Sequence, residues 1–206
     1  MSNNNVDSSL NQELDDRLID AWGRRNPRFE KKYEESVIRV IADYGVGASE
    51  HTEAKAKIFG AGYEPYILAF FIGLYTGKKL PLSEDPDDLK VLGQPLDKWG
   101  NLATKSRTSY PEIRRYILYA LVAKTDIDWI EVDKGNIKLS QAVSKLIYTM
   151  EEYANYGFSF MEDKLKQEGY FFSPRAFLDI FLQLTDKTKA QEQTETKDES
   201  EDVEPL

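Results

Sequence analysis

Glu64-Pro-Tyr-Ile-Leu-Ala-Phe-Phe-Ile-Gly-Leu-Tyr-Thr-Gly77 decides the fold. Pro65 suits a first helical turn, because its φ is pre-set and it lacks an N–H that would go unpaired there. Gly77 suits the left-handed cap at the other end. Between them, Tyr66 to Tyr75 is apolar on every side. A helix without a polar face belongs inside a domain or a membrane, and about ten residues reach only about 15 Å, half of a bilayer core. The stretch therefore predicts a buried central helix.

Toward the N-terminus, residues 1–8 are polar and read as disordered, and Ser9 with Gln12 forms a capping box. Leu10, Leu14, Leu18 and Trp22 then recur every four residues, the mark of an amphipathic helix. Gly23 to Pro27 interrupts it, and Asn26-Pro27 is a good start for a second helix with a stripe of Phe29, Tyr33, Val37, Val40, Ile41 and Tyr44. Gly45 closes that helix, Glu50 to Phe59 predicts a short one, and Gly60-Ala-Gly62 breaks the chain ahead of the central helix.

Toward the C-terminus, Lys78 to Ser109 carries Pro81, Pro86, Pro95, Gly93 and Gly100, which predicts an ordered irregular excursion with a helical turn near Asp87 to Leu92. Ser109-Tyr-Pro111 opens a helix running to Lys124 with Ile113, Ile117, Ala120 and Leu121 facing inward. In Trp129 to Leu139, Ile130 and Val132 alternate before Asp-Lys-Gly-Asn, and Ile137 and Leu139 alternate after it, which predicts a small β-hairpin. Ser140 caps the longest helix, whose apolar steps continue through Val143, Ile147, Met150, Ala154, Met161 and Leu165 to about Gln167, with a kink at Gly157. Ser173-Pro174 opens a last helix. The expected fold is all-α: a single-domain bundle of six or seven helices (residues 9–185) around a buried central helix, with one small β-hairpin.

Residues 186–206 hold eight acids against three lysines, so more than half of the net charge of −9 lies in what reads as an acidic disordered tail. The overall acidity argues against coating nucleic acid through bulk charge and leaves room for a local basic patch. There is no cysteine, which excludes disulfides, thiolate metal sites and a cysteine nucleophile. The opening Met-Ser-Asn-Asn-Asn-Val-Asp has neither a basic nor an apolar segment, and a cytoplasmic protein without membrane attachment is the expectation.

Nothing in the motifs calls for a cofactor or a metal. Asp126, Asp128, Glu131 and Asp133 are clustered, but an EF-hand loop starting at Asp126 would need glycine where Glu131 stands. His51 is the only histidine, too few for a two-histidine zinc site. Gly60-Ala-Gly62 lacks both the dinucleotide fingerprint and the phosphate-loop lysine. Glu64 with Glu151 or Glu152, set among tyrosines, forms a candidate carboxylate pair for a carbohydrate-active enzyme, which needs two carboxyl groups at a defined separation. Against it, the helical stripe turns Glu152 away from the core and puts Glu151 on its flank. Two basic clusters carry more: Arg24, Arg25, Arg28, Lys31 and Lys32 beside Trp22, Phe29 and Tyr33, and Lys105, Arg107, Arg114 and Arg115 flanking Tyr110. Positive charge beside aromatic rings is what phosphate contact and base stacking use, and ordinary solvated faces look the same in sequence.

Phe59 to Tyr75, together with Ala123-Lys-Thr-Asp-Ile-Asp-Trp129 and Thr149-Met-Glu-Glu-Tyr-Ala-Asn-Tyr-Gly-Phe158, resembles an uncharacterised family of bacterial all-helical proteins over roughly residues 10–185. The resemblance implies an accessory subunit associated with DNA-modification or defence gene clusters, and it carries no catalytic residue over. The leading expectation is a non-enzymatic interaction subunit of an intracellular multiprotein complex, with a protein partner and an oligomeric state that the sequence leaves open. The alternatives are nucleic-acid binding through the 24–32 and 105–115 patches and the carboxylate-pair enzyme.

Overall fold

The central helix, α3 (Tyr63–Thr76), begins two residues before its proline and ends where Gly77 takes a left-handed conformation at φ 64°. The Gly77 N–H donates to the Leu74 carbonyl and the Lys78 N–H to the Gly73 carbonyl, the paired bonds of a Schellman cap. The computed structural model describes residues 16–42, 59–101, 109–167 and 178–183. The expected disordered termini, the short helix over 50–58, His51, Lys105, Arg107 and the start of the last helix at Ser173-Pro174 lie outside the described residues.

Among the described residues the chain is mostly helical. In order run α1 (16–23), β1 (Arg28–Glu30), α2 (32–41), α3, β2 (Leu89–Val91), α4 (Ile113–Lys124), α5 (Trp129–Asp133), α6 (Leu139–Leu165) and α7 (178–183). The core is built where α3 crosses α6. A methyl group at Gly73 would meet the Tyr153 carbonyl of α6, and one at Gly157 would meet the Ala69 carbonyl of α3. The two backbones therefore touch, and each helix supplies the glycine that the other's carbonyl needs. α6 runs without interruption through Gly157 over 27 residues. Around the crossing, Tyr66 meets Phe158 edge-on at 5.6 Å, Tyr33 stacks on Phe158 at 5.4 Å, and Tyr63 stacks on Trp99 at 5.6 Å.

Three local expectations are corrected. The stretch from 129 to 139 is no hairpin: Asp128 accepts the Glu131 N–H as an N-cap, α5 follows, and left-handed Gly135 ends it. The small antiparallel sheet lies elsewhere, pairing β1 with β2 in the register Arg28↔Val91, Phe29↔Lys90, Glu30↔Leu89. The second helix accordingly starts at 32, five residues after Pro27, because residues 28–30 are taken by the sheet. Inside α2, Glu34–Ile38 forms a π-helical turn while Val37 and Ile38 stay fully buried. Ser140 is not the cap of α6 either; the helix begins at Leu139, and the Gln141 side chain accepts the Lys138 N–H at 3.1 Å.

The described part of the excursion, residues 78–101, packs against the body, with Leu82, Leu92, Leu96 and Trp99 buried. Its helical turn falls at Pro86–Asp88, just before β2, where Asp85 accepts the Asp87 N–H at 2.8 Å. A second short turn, Leu96–Lys98, is joined to the end of α1 by the Leu96 N–H donating to the Arg25 carbonyl.

Candidate functional site

The acids and bases singled out in the sequence divide into two groups, one closed and one open. The closed group is a buried polar network where β1 meets α6. Glu151 lies one turn of α6 before Asn155, and both are buried, Glu151 to 1% exposure. Its carboxylate accepts the Arg28 backbone N–H at 2.8 Å, Nε–H at 3.1 Å and Nη2–H at 2.8 Å. That carboxylate pushes the guanidinium above its ordinary range, against the opposing effect of burial. Tyr66 donates to the Arg28 carbonyl at 3.1 Å, and burial, reinforced by the Glu151 charge, raises its phenol well above the usual value. Asn155 donates to Glu30 at 2.9 Å and to the Pro81 carbonyl at 3.0 Å, and the Glu30 carboxylate also receives Lys32. Glu34 accepts from Arg39 and Lys90. These pairs fasten β1 and the start of the excursion to α6, and β2 to α2.

The network answers where several candidates went. Arg28 and Lys32 of the first basic cluster are paired with buried acids, although both side chains remain partly open to solvent. Lys31 donates to the Asp87 carbonyl, and Arg25 reaches Ser144 at 3.4 Å. Glu151 is not on a flank but fully enclosed, its oxygens taken up by three N–H bonds from one arginine residue, so it faces no cleft in which a substrate could meet it. Glu64 is occupied separately: it accepts the Gly60 N–H at 2.9 Å, the Ala61 N–H at 3.2 Å and the Tyr110 hydroxyl at 2.7 Å. Burial and that bond to Glu64 push the Tyr110 phenol far up. The apolar groove of about 440 Å³ that Glu64 lines, between Phe59, Ile67, Phe71 and Phe181, includes neither Glu151 nor Glu152. Glu152 pairs with Lys79 at 3.6 Å.

The open group surrounds a cavity of about 490 Å³ between α1, the Leu96–Lys98 turn and the first turn of α4. Arg24 from the first cluster and Arg114 and Arg115 from the second all line it, with Asp20, Asp97 and Glu112 interspersed and Ile19, Trp22 and Leu118 as apolar wall. Arg114 is anchored by backbone carbonyls, those of Pro111 and Asp97. Arg24 stands 3.9 Å from Asp20, and Arg115 stands 3.4 Å from Glu112, both at exposed positions. Trp22 Nε1 and Asp97 Oδ1, on two lining residues, are buried without a hydrogen-bond partner. Just outside, α4 presents Tyr116 and Tyr119, 64% and 59% exposed, on the turn that carries Arg115. Asp97 sits in irregular chain with no period to place it, whereas Trp22 reads in the sequence both as a step of the first helix's apolar stripe and as an aromatic ring beside the first basic cluster.

Among the described residues no group of three or more His, Asp or Glu is arranged to hold a metal ion, and no helix is long and apolar enough to cross a membrane. No protein-family model, curated protein or solved structure matches the chain.

Proposed function

We propose that the protein is a non-enzymatic interaction subunit of an intracellular complex, and that it grips a protein partner through the outward face of α4. The observation that carries this is the pair of solvent-facing tyrosines, Tyr116 and Tyr119, one helical turn apart beside exposed Arg115. Tyrosine and arginine dominate contact hot spots because they bring large area or planar donors at low entropy cost, whereas an isolated domain gains nothing from leaving them in water. The chemistry of the acids points the same way, since Glu151 and Glu64 are spent on internal bonds. Association with DNA-modification machinery, implied by the family resemblance, belongs to the same proposal.

Co-purification of the tagged full chain from its native cells tests it. The wild type is expected to retain a reproducible partner that Tyr116→Ser/Tyr119→Ser loses, with the fold intact by circular dichroism. Equal capture by both proteins, or none by either, overturns the reading. A second reading, nucleic-acid binding, is favoured by the meeting of Arg24 with Arg114 and Arg115 around one cavity. It predicts salt-sensitive binding of oligonucleotides that Arg24→Ala/Arg115→Ala weakens, and it no longer enlists Arg28 or Lys32, which are committed to Glu151 and Glu30.

A further inference from the structure

We infer that the outer edge of β2 is a docking site for an extended basic peptide, which joins the small sheet as a further antiparallel strand. The register leaves this edge open. The Lys31 N–H donates to the Asp88 carbonyl at 2.7 Å, and the Leu92 N–H to the Pro27 carbonyl at 2.9 Å. Phe29 stands opposite Lys90 midway between them, so these are the hydrogen-bonded pairs of the ladder. The backbone groups of Arg28, Leu89 and Val91 therefore point away from the neighbouring strand.

The two outer edges are finished differently. On β1, the Arg28 N–H donates to Glu151 and the Arg28 carbonyl accepts from Tyr66, so side chains of α6 and α3 close that edge. On β2, the Leu89 N–H donates to the Pro86 carbonyl. The Leu89 carbonyl and both backbone groups of Val91 meet no hydrogen-bond partner among the described residues, and Val91 is 54% exposed. An open strand edge is a template for pairing with another chain.

Charge selects the occupant. The stretch leading into β2 presents Glu84, Asp85, Asp87 and Asp88, all exposed. Asp85 accepts the Asp87 N–H and Asp88 accepts the Ser83 hydroxyl, both neutral donors. The near cations are Lys31, whose ammonium donates to the Asp87 carbonyl, and Lys90, which is held by Glu34. Acids therefore outnumber free cations at this end of the edge. A second copy of the chain, with its net charge of −9, is repelled there, and a basic segment is attracted. Direction follows from the pairing. In an antiparallel addition the residue facing Val91 precedes the residue facing Leu89, so lysines or arginines must follow the paired residues to lie beside Asp87 and Asp88. The residue facing Val91 packs on its exposed side chain, which favours valine or isoleucine. Main-chain bonds hold the peptide, and charge sets its order.

Fluorescence anisotropy of the full chain with a labelled, end-capped peptide, Thr-Val-Thr-Val-Lys-Arg-Lys, tests the assignment against the same residues in reversed order. The forward peptide is expected to saturate below about 1 mM, with the reversed one at least about tenfold weaker. Amide hydrogen exchange at Val91 is expected to slow when the peptide is bound. Val91→Pro removes an outward N–H at a position where an edge strand tolerates proline, and is expected to weaken binding about tenfold or more. Glu84→Gln/Asp87→Asn is expected to weaken it about threefold or more and to flatten its salt dependence. No saturation, equal affinity for the reversed peptide, unchanged exchange at Val91, or dimerisation of the chain that Val91→Pro abolishes each overturns the inference. If Val91→Pro loses the native circular dichroism, the exchange at Val91 and the carboxylate variant decide. Tyr116→Ser/Tyr119→Ser is expected to bind the peptide as the wild type does, so this outcome is independent of the co-purification.

Discussion

Arg28→Ala separates a structural arginine from a surface one. In the wild type the Arg28 side chain gives Glu151 two of its three hydrogen bonds. Removing it strands a carboxylate that is 1% exposed on a single backbone N–H. Breaking a buried ion pair from one side costs about 3–5 kcal/mol. The Arg28 side chain is itself 44% exposed, so water can partly refill its place, which puts the loss near the lower end, about 3 kcal/mol. Urea unfolding followed by far-ultraviolet circular dichroism measures it, with an unchanged slope showing that the same surface unfolds. One control sharpens the reading. Adding Glu151→Gln to Arg28→Ala removes the stranded charge and is expected to recover part of the loss, a coupling that a double-mutant cycle reports. A variant within about 0.5 kcal/mol of wild type, the range of ordinary surface substitutions, would refute the reasoning and return Arg28 to the pool of phosphate contacts.

The glycines rank by what their missing side chains would strike. Gly157→Ala and Gly73→Ala drive a methyl into a facing backbone carbonyl that cannot rotate away, so each is expected to cost at least about 1–3 kcal/mol in thermal or urea unfolding. Gly77→Ala meets open space and pays the left-handed φ alone, about 1–2 kcal/mol; a loss below about 1 kcal/mol at Gly157 or Gly73 would contradict the close crossing. Burial pushes the Glu34 carboxyl up, but the hydrogen bonds from Lys90 and Arg39 outweigh it and hold it below its ordinary value. Its stabilisation is therefore present above the unfolded-state value of about 4.3 and is lost as the pH falls through the lower folded value; Glu34→Gln should flatten the acid limb of stability against pH. Tyr66→Phe removes the donor to the Arg28 carbonyl and is expected to cost about 1 kcal/mol. Because burial raises the Tyr66 phenol, alkaline difference spectra should lose one late-titrating tyrosine in that variant.

The elements legible in the sequence are those whose signals are local and continuous. The apolar run of α3 and its glycine stop, and the three-and-four spacing of α6, each span several turns, so the pattern exceeds what chance or neighbours can imitate. The sheet was hidden because its strands are three residues each and about sixty residues apart, too short to alternate and too distant for any turn to announce them. Phe29 and Tyr33 fit a helical spacing of four and yet straddle a strand and a turn, which is how the helix came to be placed too early. The hairpin expectation weighed Ile130 and Val132 above Asp128 and Glu131, although an N-cap acceptor two residues before Ile130 favours a helix there. Glu151 is the instructive site residue: with Asn155 it makes a polar step of four on an otherwise apolar face, and a polar step that lands in a core needs a partner from elsewhere in the chain. That partner, Arg28, was in view as a basic residue, but nothing in one sequence joins the two.

The same pairing accounts for where most of the basic residues singled out in the sequence go on an acidic chain. Around β1, Glu30, Glu34 and Glu151 are buried, and each is met by cations: Lys32 for the first, Arg39 and Lys90 for the second, Arg28 for the third. Those charges cancel at short range and contribute little to the field outside. Around the cavity between α1 and α4 the count is also even, Arg24, Arg114 and Arg115 standing with Asp20, Asp97 and Glu112, so a cluster of arginines in the sequence does not amount to a basic surplus in the fold.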